Sequence, residues 1–394
     1  MAATDPILIA GGGIAGLATA LALAQRGEPV RLVERRETPS EDGAGIQISP
    51  NGVHVLRSLG VADRLAPHVG RPEAIEVRDG ASGRILQRLP LGDWFEARHG
   101  APYWAAHRQD VQAALLAACA EQPHIQITTG FETRFFDVDG SSVRLHDARE
   151  RTVQGRALIG ADGVFSRVRQ QLHAVKSPRF SGRTAARAVL PVAARPVGTD
   201  ARCTTLWIAP GAHVVQYAAV RGDSEIPVVV IRTEAWQEQG WSAPVEPEHL
   251  RAALAGFAPA LREALARAPD WRRWALFEIE PLAAWSHGPV TLAGDAAHPV
   301  LPFLAQGGSL ALEDAATLAV MLGRHGSDAM LAFKAYDAAR RERARRIAAI
   351  AQRNGWIFHL SGLPARLRNL AMRHVPPERV MAGYDWVYGW RPPG

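Results

Sequence analysis

The run Ile7-Leu8-Ile9-Ala10 is apolar throughout and stops at three consecutive glycines, Gly11-Gly12-Gly13. Residues 17–26 then read as a helix, and Pro29-Val30-Arg31-Leu32-Val33 as a second strand closed by Glu34. Strand, glycine turn, helix, strand and acid within about 30 residues is the βαβ context that a dinucleotide fingerprint requires. Further along, 105–125 reads as a helix opened by Asp110, 124–128 as a strand, and 131–146 as a strand pair turning at Asp139-Gly140. Between about 178 and 280 the pattern changes: β-type runs at 187–192, 204–208, 214–220 and 227–232 precede a helix-like stretch at 249–267. A buried strand returns at 289–293, a helix follows at 310–323, and 330–353 reads as one long arginine-rich helix. An aromatic tail with Trp356, Tyr384, Trp386, Tyr388 and Trp390 closes the chain.

Alternating strands and helices with a block of strands between them predict an α/β chain. It has a Rossmann-type dinucleotide-binding domain, an inserted β-sheet domain and a C-terminal helical region. The expected bounds are 1–75, 100–177 and 281–330 for the discontinuous nucleotide domain, 76–99 and 178–280 for the sheet domain, and 331–394 for the C-terminal helix and tail. A length of 394 residues agrees with two to three domains. Composition, 47% apolar and 21% charged, is that of an ordinary globular protein and excludes a disordered chain. Cys119 and Cys203 are too few for a disulfide framework or a four-ligand zinc site, so no metal is expected and a reduced cytoplasmic setting fits. The N-terminus lacks the pattern of a signal peptide, and no stretch reaches the ~18 uninterrupted apolar residues of a membrane span.

The net charge of +6 first suggests nucleic acid. Seven basic residues lie between Phe333 and Arg353 (Lys334, Arg340, Arg341, Arg343, Arg345, Arg346, Arg353) against Asp337 and Glu342, which leaves 7 − 2 = +5. One helix therefore holds nearly the whole excess, and the expectation is a solvated arginine face over a packed alanine and isoleucine face, with no nucleic-acid partner.

In the fingerprint, Gly11 permits the tight turn, Gly13 lets the backbone approach a pyrophosphate, and Gly16 lets the helix lie close to the strand. The helix entered through Ile14 and Ala15 offers its unpaired N–H groups to phosphates, while Glu34, with Arg35 beside it, is placed for a ribose diol. Two further strands end in glycine and acid: Leu158-Ile159-Gly160-Ala161-Asp162-Gly163 and Thr291-Leu292-Ala293-Gly294-Asp295-Ala296-Ala297-His298-Pro299. Asp162 also suits a strand-ending turn and Asp295 a helix cap. His298 reads as structural.

Together with Gly43-Ala44-Gly45-Ile46-Gln47-Ile48-Ser49-Pro50-Asn51, Ala106-His107-Arg108 and Asp385-Trp386-Val387-Tyr388, these segments resemble the single-component FAD-dependent aromatic hydroxylases of the group A flavoprotein monooxygenases. The branch they look most like is that of salicylate hydroxylase and 3-hydroxybenzoate 6-hydroxylase, over nearly the whole chain. The resemblance implies bound FAD, transient NADH or NADPH, and O₂ as co-substrate. Hydroxylation of a small phenolic or heteroaromatic acid would then pass through a flavin C4a-hydroperoxide. It assigns Asp295 to the ribityl chain, Arg108 to the FAD phosphates and ribityl, Asp162 to FAD and the nicotinamide coenzyme, and Gln47 to the neighbourhood of the isoalloxazine. Pro302 with Gly294, Gly307, Gly308 and Ser309 would surround the flavin, where backbone N–H groups stabilise charge on the reduced ring. Phe165 stands where relatives carry a small residue, and Phe303 where some carry a polar one.

On the substrate side, His213 and Tyr217 lie four apart in one strand and share a face, ~13 Å apart along the backbone. Resembling proteins place such a pair against the substrate, the histidine taking the phenolic proton; sheet packing is the alternative reading. Arg183 and Arg187 offer a positive charge to a substrate carboxylate, or make surface or FAD-domain contacts. A homodimer is expected. The first fingerprint alone also allows an FAD dehydrogenase or oxidase, and the arginine excess a nucleic-acid binder.

Overall fold

The computed structural model describes the chain except residues 1–4, 39–44, 141, 175–176, 220–223, 234–235, 237–241 and 269, and it leaves out the side chains of 218–219, 224–226 and 242. Gly43 and Ala44 of the quoted motif lie outside the described residues.

A five-stranded parallel sheet carries the fingerprint, in the order Val290–Leu292, Ala157–Gly160, Ile7–Ala10, Val30–Val33, Ile125–Thr128. Its strands read as continuous apolar runs because both faces are covered, and Ile7–Ala10 is fully buried. The helices Ile14–Ala24 and Gly307–His325 pack together over one face. A three-stranded antiparallel sheet, Thr133–Asp139, Ser142–Asp147 and Thr152–Gly155, and a two-stranded one, Gly45–Ile48 with Trp104–His107, complete this part.

The second body is a nine-stranded sheet among the described residues, almost wholly antiparallel. Ala74–Asp79 and Ile85–Pro90 join it from early in the chain, Ala74–Asp79 running parallel to Cys203–Ala209. At its centre Ala212–Ala219 lies between Cys203–Ala209 and Ser224–Arg232, with Arg179–Arg187 beyond. Side chains alternate across the sheet. Trp207, Val214 and Val229 pack outward under the short helices Pro247–Leu254 and Pro259–Leu265. Tyr217, Val228, Val230 and Ala185 turn inward onto Ala105, Leu301 and Phe303 of the nucleotide-binding part.

Several local expectations are corrected. The helix expected to open at Asp110 starts at Arg108, directly after the strand Trp104–His107. The stretch 249–267 is two helices because Pro259 supplies no N–H and favours a helix start. The run 187–192 is not one strand: Arg179–Arg187 ends there, and only Leu190–Pro191 pairs again.

The arginine helix runs Ala329–Phe358, and its face is not simply solvated. Arg340 is 1% exposed and bonds to Glu313 and, at 2.9 Å, to Asp314, both acids being fully buried. Arg343 holds Glu313 through two bonds of 2.7 Å and the carbonyls of Trp386 and Val387. The aromatic tail covers the row: Arg340 lies over Trp390, and Arg346 lies 3.8 Å from the Trp386 ring centre. Part of the positive charge is thus neutralised internally or roofed by indoles. No helix among the described residues is long and apolar enough to cross a membrane.

Candidate flavin and substrate site

Three chain segments converge at the carboxyl ends of the parallel strands, the edge where open α/β sheets take their ligands. Gly11 has φ +109°, and a Cβ there would overlap the carbonyl of Ala161, so the first glycine turn and the turn after Ala157–Gly160 touch backbone to backbone. A Cβ on Gly16 would overlap the Gly11 carbonyl, whereas one on Gly13 meets nothing within 4 Å. Gly16 therefore serves packing, and Gly13 borders open space. Gly13 heads the helix Ile14–Ala24 without a side-chain cap, leaving the first-turn N–H groups of Ile14, Ala15 and Gly16 unclaimed by side chains. Gly294, at φ +59°, is wedged between this helix and the next: a Cβ on it would stand 2.8 Å from Ala15 Cβ and 3.5 Å from Ala311 Cβ.

The second helix end, Gly307–His325, is also uncapped by side chains. Gly307 and Gly308 are partly open; Ser309 is fully buried, and its hydroxyl turns away to Ser49. Ala305, just before it, sits at φ +52°, a conformation unusual for a residue with a side chain, which swings the chain out of the Pro302–Leu304 turn and into the helix. Pro302 is exposed in that turn, with Leu301 and Phe303 buried on either side. The two uncapped ends present positive dipole poles to one region, and the Gly13 opening gives a dinucleotide backbone room to approach. These features fit FAD.

The acids differ in their commitments. Glu34 accepts Gly12 N–H at 2.7 Å and Arg36 N–H at 3.0 Å, and Arg35 is exposed beside it. The Asp162 carboxylate is taken up locally, accepting the Ser166 hydroxyl at 2.5 Å and the N–H groups of Arg167 at 2.7 Å and Val168 at 3.2 Å. Burial raises its pKa and those three donors pull it back. The Asp295 carboxylate has no hydrogen-bond partner among the described residues, while its backbone is clamped: buried Arg169 reaches the Asp295 carbonyl at 3.5 Å and the Ala296 carbonyl at 2.9 Å, and Asp314 accepts Gly294 N–H at 2.9 Å and holds His298 at 2.6 Å.

Sequence reasoning missed the buried polar network under this edge. Asn51 donates to Gln306 at 3.0 Å and Glu313 at 2.6 Å, and Gln306 donates to Ser49 at 2.9 Å. It ties 45–51 and 306–309 to Arg340 and Arg343. Its signal was the pair Glu313-Asp314 inside an otherwise apolar helical run.

Opposite lies the sheet face. Tyr217 is 4% exposed and packs against Gly45 so closely that a Cβ there would overlap its hydroxyl; a Cβ on Gly308 would stand 2.6 Å from Ile46. One short strand, Gly45–Ile48, thus lies between Tyr217 and the helix end at Gly308. Its Gln47 accepts the Tyr103 hydroxyl at 2.5 Å. His213 is 2% exposed, ringed by Phe303, Phe358 and His359, and its Nδ1 is 2.8 Å from His359 Nε2. Burial, then His359 and Arg183, push the His213 pKa well below the usual imidazole value; burial pushes the Tyr217 hydroxyl up to about 12. At neutral pH both are uncharged. Arg183 and Arg187 belong to the strand Arg179–Arg187, one beyond Ser224–Arg232, with buried Nε atoms that have no partner among the described residues, Arg183 over Phe303 and Arg187 over Trp274. Arg187 also feels the charge of exposed Arg108 across the gap.

This arrangement defines a flavoprotein built as a dinucleotide-binding domain roofed by a sheet. The family profile described as "FAD binding domain" matches residues 4–351. The chain is 35% identical over 385 residues to the 3-hydroxybenzoate 6-hydroxylase of Polaromonas naphthalenivorans, covering 98% of this chain and 96% of that one. It is 34% identical over 353 residues to the 6-hydroxynicotinate 3-monooxygenase of Bordetella bronchiseptica, covering 89% and 91%. Among solved structures, Klebsiella pneumoniae HpxO complexed with FAD and uric acid superposes with a TM-score of 0.84 at 25% identity, covering 96% of this chain and 95% of that one. The chain belongs to the FAD-binding-domain family, among its FAD-dependent aromatic monooxygenases.

Proposed function

We propose that this enzyme hydroxylates a small phenolic or heteroaromatic acid, of the salicylate, hydroxybenzoate or hydroxypyridine-carboxylate type, with consumption of NADH or NADPH and O₂. The observation that carries the reading is one sheet face bearing His213, Tyr217, Arg183 and Arg187, laid against Gly45–Ile48 and the Leu301–Phe303 turn. FAD, when bound, supplies the oxygen chemistry and takes the reducing equivalents. The chain's own residues do the rest.

For the cofactor, the reading assigns Gly11, Gly13 and the N–H groups of Ile14, Ala15 and Gly16 to the pyrophosphate and Glu34 with Arg35 to the adenosine side. Arg108 and Asp295 take the ribityl and phosphate region. Gln47, Pro302 and the backbone of Gly294, Gly307, Gly308 and Ser309 border the ring. Asp162, its carboxylate engaged, contributes through its backbone turn. On the substrate, neutral His213 takes the phenolic proton, which raises electron density at the ring carbon to be hydroxylated. Tyr217 donates from its hydroxyl, and Arg187 holds the carboxylate. Leu301 and Phe303 exclude water.

The same reading divides the chain at the bounds given above and sets the protein in a reducing cytoplasm, where buried Cys119 and Cys203 stay thiols. It works as a homodimer, with the exposed row Leu363, Leu367 and Leu370 of the helix Gly362–His374 as the candidate contact, and uses no nucleic acid. Light scattering tests the dimer. The activity test is a purified yellow protein whose NADH or NADPH oxidation is stimulated by hydroxybenzoates or hydroxynicotinates, with a product one oxygen heavier by mass. Flavin reduction by the organic substrate itself, without nicotinamide consumption, overturns the reading in favour of a dehydrogenase or oxidase.

A further inference from the structure

The long helix Ala329–Phe358 ends directly beside the sheet, 146 positions along the chain from His213, and the residue that terminates it is a second histidine. His359 is held there firmly. Its N–H bonds to the Trp356 carbonyl at 3.2 Å, and the guanidinium of Arg368 caps the helix by donating to the carbonyls of Ile357 at 2.8 Å and Phe358 at 2.9 Å. Phe303 meets the His213 ring edge to face at 5.4 Å and Phe358 at 5.5 Å, so neither imidazole turns without repacking.

We infer that His359 is a positioning residue for the reaction: its Nε2 accepts the Nδ1–H of His213 and so leaves Nε2 of His213 bare toward the substrate hydroxyl. The inference rests on the proposed role of His213 as base. A neutral imidazole carries one N–H. Across a single 2.8 Å contact between Nδ1 of His213 and Nε2 of His359 only two arrangements exist. If His359 donates, the proton of His213 sits on Nε2, and the ring can donate to a phenolate but cannot remove a phenolic proton. If His213 donates, Nε2 is a lone pair, and no other described residue bonds to it.

The base role proposed for His213 selects the second arrangement, in which the N–H of His359 sits on its buried Nδ1, without a hydrogen-bond partner among the described residues. The groups facing His359 are His213 on Ala212–Ala219, Arg232 on the adjacent Ser224–Arg232, Arg183 on Arg179–Arg187 beyond it, and Arg368 on the helix Gly362–His374. Burial first, and then the three guanidiniums, bring the His359 pKa down to about 4. An imidazolium at this position would have to donate from Nε2; burial and the arginines keep His359 neutral, the one charge state in which its Nε2 can accept. In the step itself, the proton leaves the substrate oxygen, whose bonding pair stays behind as phenolate, and lands on His213 Nε2. His213 becomes an imidazolium whose Nδ1–H bond to neutral His359 strengthens.

The test uses FAD-loaded enzyme with nitrogen-15 histidine, the His213 signals being assigned from a His213→Asn sample. The expected result is a neutral His213 protonated on Nδ1 at pH 7.5. His359→Phe should convert His213 to a mixture of tautomers and lower kcat/KM for a hydroxylated substrate found in the panel above on the order of tenfold or more. His359→Gln, which retains an acceptor, should restore most of both. A wild-type His213 protonated on Nε2, or a tautomer indifferent to His359→Phe, overturns the inference. If His213→Asn leaves the hydroxylation rate and its pH profile unchanged, the base assignment is what fails; a loss in His213→Asn together with unchanged His359→Phe removes the role of His359 alone.

Discussion

Arg340→Leu tests the network beneath the flavin edge. Arg340 is 1% exposed and donates to Glu313, to Asp314 at 2.9 Å and to the Leu310 carbonyl at 3.4 Å. Leucine fills the volume of the stem but leaves two fully buried carboxylates without their shared cation. Glu313 retains Arg343 and Asn51, and Asp314 retains His298 and Gly294 N–H, so neither is stripped completely. Breaking a buried ion pair by removing one partner costs about 3–5 kcal/mol, and these remaining donors put the expected loss near about 3 kcal/mol. Against a total stability of about 5–15 kcal/mol that is a large fraction. The substitution also acts at the cofactor. Asp314 fixes the Gly294 turn, and Glu313 fixes Asn51 and with it Gln306 at the helix entrance. FAD should therefore dissociate more readily at temperatures where the protein is still folded. Urea titration by circular dichroism gives the stability, and flavin fluorescence on dilution gives the retention. Arg340→Lys keeps the charge but cannot span both acids, and should fall between. A midpoint for Arg340→Leu within about 1 kcal/mol of the parent, with unchanged FAD retention, would show that the arginine is dispensable and refute the reasoning.

Further substitutions and a change of pH separate the roles of the other residues. Gly13→Ala should leave the melting temperature of the FAD-free protein unchanged while weakening FAD binding, since its Cβ meets only open space; Gly16→Ala should lose both, because its Cβ overlaps the Gly11 carbonyl. Arg187→Met should raise KM for an aromatic acid on the order of 10–100-fold and leave a substrate lacking the carboxylate nearly unaffected, read from steady-state kinetics on the matched pair. On acidification, His359 is the group to follow. Its folded pKa of about 4 lies below the ordinary 6.5, so the unfolded chain takes the proton first. Stability should be full above about pH 6.5 and decline by up to about 3 kcal/mol toward pH 4, a slope that urea midpoints across that range would show and that His359→Asn should flatten.

What the sequence made legible was whatever depends on neighbours in the chain. The strand, glycine turn and helix of 7–24 is a local pattern, in which Gly11 and Gly16 each make a backbone contact that a Cβ would block and Gly13 borders open space. The same holds for the pairing of His213 with Tyr217, because alternation along a strand alone puts them on one face. What stayed hidden joins residues far apart. His359 reaches His213 only because a 30-residue helix happens to end at the sheet, and no local periodicity records where a helix ends in space. The charge balance was misread for a related reason. Counting arginines against acids on one helix predicted a solvated face, but the acids that matter stand on the preceding helix, and the roof over the row is a tail some 40 residues later. A net charge is additive along the chain, whereas desolvation is not. Arg340 counts the same as exposed Arg345 in the sum, yet the first is bound to two buried acids at the floor of the flavin edge and the second pairs with its exposed helical neighbour Glu342. The informative sign was therefore not the arginine excess but Glu313-Asp314, two charges in an apolar helical run, which cannot be buried without cations brought from elsewhere.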